Sequence, residues 1–183
     1  MNRNVDLSRD PQGNHGTSTT ALTASDNRQR PREVYLHAGQ TRCSRDPLLL
    51  SMILGSSVGI CLFDHQLSIG GATHFLLPEF PQGAENPSSR YGNIAVQELV
   101  GQLRTLGSKP ANLTARVFGG ACLFQSFRDG GRPHVGHRNA TVALEMLSRL
   151  SIRVIEKDVA GEFGRKVKMW SNTGAVVVEV VGS

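Results

Sequence analysis

Aromatic residues are scarce in this chain, at 5% of 183 residues. Lys and Arg are scattered along it, so no basic stripe with interleaved aromatics forms, and the net charge of +5 gives no reason to expect a nucleic-acid partner. Cysteine is also sparse. Cys43, Cys61 and Cys122 make neither a CxxC pair nor an even framework, which points to a reducing compartment, the cytoplasm, rather than secretion.

Long hydrophobic runs are missing too. The apolar stretches are strand-length and broken by Gly or Ser, well short of the roughly 20 residues that cross a bilayer. Residues 1–32 contain no apolar core of a signal peptide. No membrane insertion is therefore expected. His134 and His137 lack a carboxylate or cysteine cluster to complete a metal site and read as loop histidines, so neither metal nor cofactor is expected.

What is present is one domain's worth of patterned chain. Residues 1–33 are polar, mixed in charge and poor in large apolar groups, the composition of a disordered tail, and folding is expected over 34–183. In "YGNIAVQELVGQLRTLG", Ile94, Ala95, Leu99, Leu103 and Leu106 recur at helical spacing and Gly107 stands at a helix stop. A second helix fits "NATVALEMLSRL", with Asn139 as its N-cap. Strands are expected at "VYLHAG", "LLLSMILGSSVGICLFD", "LSIGGATHFLLP", "LTARVFGGA", "IRVIEKD", "KVKMW" and "AVVVEVV", and "QTRCSRDP" reads as a loop. The fold class is α/β of the α+β type, a mixed or antiparallel sheet layered with about two helices.

The run "SMILGSSVGICLFD" is unusual because Gly55, Ser56, Ser57 and Gly59 interrupt an otherwise apolar strand. A two-residue turn at His65 and Gln66 would place Ser57 opposite His74, within reach of a hydroxyl–imidazole contact. Period-two alternation then puts Ser51, Ser57, Gly59, Cys61, Gly70, Ala72 and His74 on one hollowed face, open to a substrate side chain, and Met52, Leu54, Val58, Ile60 and Leu62 on a packed one. The bland alternative is that the small residues only let a helix or bulge sit close, with His74 hydrogen-bonded locally.

The ordered set "LGSSVGICLFD", "GGATHFLLP", "YGNIAVQELV", "ARVFGGA", "VGHRN" and "GRKV" resembles the chemoreceptor glutamine deamidases called CheD, from about Val34 to Val181. The resemblance implies a cytoplasmic amidohydrolase that converts glutamine side chains of chemotaxis receptors to glutamate, with the receptors' cytoplasmic helices as partner. The family's nucleophilic Cys corresponds here to Ser57, its histidine to His74, and its orienting threonine to Ser51. Two further segments depart from the family pattern: E-R-N reads His137, Arg138, Asn139, and D-x-G-G reads Asp158, Val159, Ala160, Gly161.

A serine hydroxyl is far less acidic than a thiol and must lose its proton as it attacks, so a site built for a thiolate loses rate when given a hydroxyl. The alternative reading is thus a catalytically silent binding module for receptors or for a CheC-like phosphatase. Cys61 lies too far along its strand to replace Ser57 beside His74. Cys122, after the Gly119–Gly120 turn, could approach only through folding that the sequence does not show, and Cys43, in a loop, is a weaker substitute than Cys122.

Overall fold

A computed structural model describes residues 31–122 and 134–182. Of the tail expected over residues 1–33, residues 1–30 lie outside the described residues, and Arg32 and Glu33 belong to a strand. The described residues form nine strands and two long helices: β1 (Arg32–Tyr35), β2 (Gln40–Ser44), β3 (Leu48–Leu54), β4 (Val58–Asp64), β5 (Ile69–Phe75), α1 (Gly92–Thr105), β6 (Leu113–Gly119), α2 (Val135–Arg149), β7 (Arg153–Val159), β8 (Gly164–Trp170) and β9 (Val176–Val181).

Two mixed sheets carry the fold. One has the order β1-β3-β8-β9 and the other β2-β5-β4-β6-β7. The β1–β3 and β6–β7 pairs are parallel and the rest antiparallel. The α+β class expected from the sequence is the one observed.

The single long strand expected from Leu48 to Asp64 is two strands in different sheets. β3 belongs to the first sheet and β4 to the second, and Gly55–Ser57 is the link where the chain crosses between them. This changes the reading of both faces. Val58, Ile60 and Leu62 pack with Ala95, Leu99, Leu103, Ala143 and Leu147 of the helices. Cys61, Phe63 and Ala72 face the other way, onto Leu50, Met52, Leu54, Val167 and Met169 of the first sheet. The layers therefore run helices, second sheet, first sheet.

The face expected to be hollow is consequently packed. A Cβ built on Gly59 would lie 2.4 Å from the Met52 sulfur, closer than real atoms approach. Its smallness serves a close approach, as in the bland alternative, but the neighbour is β3 of the first sheet and not a helix or bulge. The strand expected at "VYLHAG" is shorter and begins earlier, at Arg32, and "QTRCS" is the edge strand β2, so Cys43 sits on a strand and not in a loop.

The helix α1 has the extent its apolar spacing implies, with Tyr91 as N-cap and Gly107 at a φ of 100° just beyond its end. Helix α2 starts four residues before Asn139, because His134 is the N-cap: its Nδ1 accepts the Gly136 N–H at 3.0 Å. Asn139 is an interior residue of α2, and its side chain is free for another task.

Past β7 the chain turns at Ala160, whose φ is 66°. A residue with a Cβ pays about 1–2 kcal/mol for this left-handed conformation, and glycine does not. Ala160→Gly is expected to stabilise the fold by about 1 kcal/mol, read as a higher urea midpoint at unchanged slope. An unchanged or lower midpoint would contradict the strain.

Candidate functional site

Ser57 ends the link between the sheets, one residue before the first ladder pair of β4 with β5, Val58 opposite Phe75. The hairpin loop is longer than two residues. Asp64 Oδ1 accepts the N–H groups of Gln66 and Leu67 at 2.9 and 3.1 Å, which builds an Asx-type turn through Ser68 and sets Gly59, rather than Ser57, opposite His74. The register differs from the expected one by two residues, so every side chain keeps its face. His74 reaches diagonally past the bare Gly59 to Ser57.

The contact itself is made. His74 Nε2 and Ser57 Oγ are 2.9 Å apart, with both residues nearly buried at 5% and 6% exposure. His74 Nδ1 lies 3.0 Å from the Leu36 carbonyl. A carbonyl only accepts, so Nδ1 carries the proton of the neutral ring and Nε2 offers its lone pair to the Ser57 O–H. Burial holds the imidazole below its ordinary value of about 6.5, helped by His37 nearby and opposed by the Leu36 bond. At neutral pH the ring is an uncharged base beside a hydroxyl.

This shift has a consequence for stability. The unfolded chain takes up a proton on His74 near pH 6.5, while the folded chain resists it until lower pH, so stability is full above about 6.5 and falls as pH drops toward the folded value. The stability difference between the wild type and His74→Gln is expected to narrow between about pH 7.5 and pH 5.5, measured by urea denaturation. Parallel curves would show that burial does not hold the ring neutral.

Ser51 is buried on β3, and it is its backbone carbonyl that enters the hydrogen bonding beside His74. The Leu36 N–H donates to the Ser51 carbonyl at 2.8 Å, and Leu36 in turn holds His74 through its own carbonyl. The serine is thus linked to the imidazole through the Leu36 backbone. Strand alternation turns its side chain away from Leu50 and Met52, which face the second sheet.

Gly119, the last residue of β6, and Gly120 after it lie against Ser57. Gly119 has a φ of 102° and Gly120 one of 69°. The Gly120 N–H donates to the Ser57 carbonyl and the Ala121 N–H to the Gly55 carbonyl, each at 2.8 Å, so these donors fix the link. Gly119 is in turn reached by the Ala160 N–H, and Gly161 by the Cys122 N–H, lacing the loop after β7 to the same corner. Arg165 braces that loop with a 2.6 Å bond to Asp158, whose carboxyl it holds below the usual range.

Neither Cys61 nor Cys43 takes the serine's place. Burial pushes the Cys61 thiol up to about 12 and the Cys43 thiol up to about 11, so neither supplies a thiolate at neutral pH. Both ring nitrogens of His74 are occupied by Leu36 and Ser57.

Two groups of this corner were not assigned a part in it by the sequence. The Leu36 carbonyl is a backbone atom and leaves no signature in residue types. Asn139 is fully buried, and its Nδ2 donates to the Ser56 carbonyl at 2.9 Å and to the Leu76 carbonyl at 2.8 Å. Its sequence signals are a poor helix former at the head of an apolar helical pattern and a place in the segment where the family reads E-R-N.

Comparison with known proteins gives the family. Residues 76–180 match the family model described as CheD chemotactic sensory transduction. A probable chemoreceptor glutamine deamidase CheD 1 from Anaeromyxobacter dehalogenans is 39% identical over 146 residues, covering 80% of this chain and 83% of that protein. A probable chemoreceptor glutamine deamidase CheD from Sulfurimonas denitrificans is 33% identical over 148 residues, covering 80% and 93%. One from Rhodospirillum rubrum is 34% identical over 149 residues, covering 81% and 82%. The chain belongs to the CheD family.

Proposed function

We propose that this member of the CheD family is a chemoreceptor glutamine deamidase whose nucleophile position is held by Ser57. The observation that carries the reading is the buried 2.9 Å contact between Ser57 Oγ and His74 Nε2. His74 accepts the hydroxyl proton as Oγ attacks the amide carbon of a glutamine side chain, then returns it to the departing nitrogen, releasing ammonia and leaving an ester. Water, deprotonated by the same imidazole, cleaves the ester to glutamate and restores Ser57. Ser51 is a positioning residue that acts on His74 through the Leu36 backbone.

A neutral imidazole without a neighbouring carboxylate is a modest base for a hydroxyl, so turnover is slow. The substrates are chemoreceptors, as the relatives' names state for those proteins, taken here at glutamines of the receptors' cytoplasmic helices, and the chain works in the cytoplasm. Among the described residues no helix is long and apolar enough to cross a membrane.

The serine also favours a second reading, a module that grips receptor helices or a CheC-like phosphatase without turnover. Ammonia release and binding, measured with the full chain and purified receptor cytoplasmic fragments, separate the two. Slow release that depends on Ser57 supports the deamidase. Binding without any release supports the module, and neither binding nor release refutes both.

A further inference from the structure

Ser57 lies just beyond the open end of the β4–β5 ladder, whereas His74 is held inside that ladder opposite Gly59, one pair from its end. Its last pair is Val58 with Phe75; Ser56 and Ser57 lie before it on one side and Leu76 beyond it on the other. The next pair in register would be Ser57 with Leu76, and no ladder pair forms there. Two backbone carbonyls, of Ser56 and Leu76, instead converge on one nitrogen, Asn139 Nδ2.

We propose that Asn139 is the positioning residue of the Ser57–His74 pair, setting the alignment of the hydroxyl with the imidazole by clamping the open end of the ladder. The inference rests on the deamidase reading of that pair. Converging carbonyls repel one another, and a primary amide places two donor protons on a single uncharged nitrogen between them. A hydroxyl has one proton, and an ammonium would bring a charge into a fully buried position.

The carrier of the clamp is itself fixed. A Cβ added to Gly136 would lie 2.5 Å from the Gly120 carbonyl oxygen, so the first turn of α2 sits directly on the segment whose N–H holds the Ser57 carbonyl. The amide keeps this place at a cost: its Oδ1 is buried with no hydrogen-bond partner among the described residues. Asn139 is thus retained for its two donors.

The test uses the full chain carrying Ser57→Cys, where the rate of iodoacetamide alkylation against pH reports the thiol's ionisation beside His74. Alignment with the imidazole should bring the apparent pKa below the ordinary thiol value of about 8.5. Adding Asn139→Leu, which keeps bulk but no donor, or Asn139→Ala should raise it by about one unit or more while circular dichroism shows the fold retained. Asn139→Ser keeps one donor and should give a smaller rise. It carries the test if the other two do not fold.

Unchanged ionisation in folded Asn139 variants would overturn the inference and leave the deamidase reading standing. An ordinary thiol in the parent Ser57→Cys protein would overturn both. Restoration of a low value by Asn139→Leu would assign the residue to packing alone and likewise overturn the inference.

Discussion

Replacing Ser57 with cysteine is expected to raise the rate of receptor deamidation by at least about 100-fold, equivalent to ~2.7 kcal/mol off the barrier. The surroundings need no rebuilding for this. His74 already presents its unprotonated Nε2 at 2.9 Å, and the Leu36 carbonyl fixes the tautomer that does so. What the hydroxyl lacks is acidity: a thiol ionises beside an imidazole, whereas a serine depends on a base strengthened by a carboxylate, and His74 has only a neutral carbonyl behind it. Ammonia release from receptor fragments by the two proteins measures the gain. Equal rates would show that the nucleophile's acidity is not what limits this site.

Gly119→Ala is expected to be the most damaging single-methyl change in this corner. It should cost about 3 kcal/mol or more of stability, because it combines a forbidden backbone conformation with a backbone clash. The φ of 102° is open to glycine alone among common choices, and the new Cβ would lie 2.3 Å from the Ser57 carbonyl oxygen. To relieve the contact, the Ser57 carbonyl must move and the 2.8 Å bond from the Gly120 N–H must lengthen or break. Ser57 then leaves His74. The loss should therefore appear twice, as a lower urea midpoint and, in a Ser57→Cys background, as slower deamidation below the melting transition. A fold as stable as the wild type would contradict the packing described for Gly119.

The same neighbourhood shows where sequence patterns inform and where they stop. Helix α1 was legible because its apolar spacing and the Gly107 stop are local properties, and the closing strands β8 and β9 were legible from their own composition. The crossing at Gly55–Ser57 was not, since an unbroken apolar texture does not reveal that β3 and β4 join different sheets. That choice is made by distant partners, β8 for one and β5 and β6 for the other. The polar edge strand β2 has a single ladder partner and weak alternation, so its residues read as a loop.

The candidate site was legible to a different degree. Ser57 and His74 do meet, although the expected opposed pair became a diagonal one when Asp64 enlarged the turn. An even shift keeps faces together, whereas an odd one would have separated the two side chains. The expected hollow beside them proved to be the contact plane of two sheets, filled by Met52 and Leu54. Asn139 drew attention as a helix cap because asparagine favours such positions. Its clamp joins segments far apart in the chain, which residue type alone does not disclose.

The most direct measurement is site-resolved mass spectrometry of chemoreceptor cytoplasmic fragments incubated with the Ser57→Cys protein and with the same protein carrying His74→Ala. The account expects glutamine-to-glutamate conversion at discrete receptor positions with the first. With the second, conversion should fall by about 100-fold or more, the usual scale of a lost general base. Conversion that persists without His74, or a complete absence of conversion with the thiol in place, would contradict the assignment of Ser57 and His74 as the reacting pair.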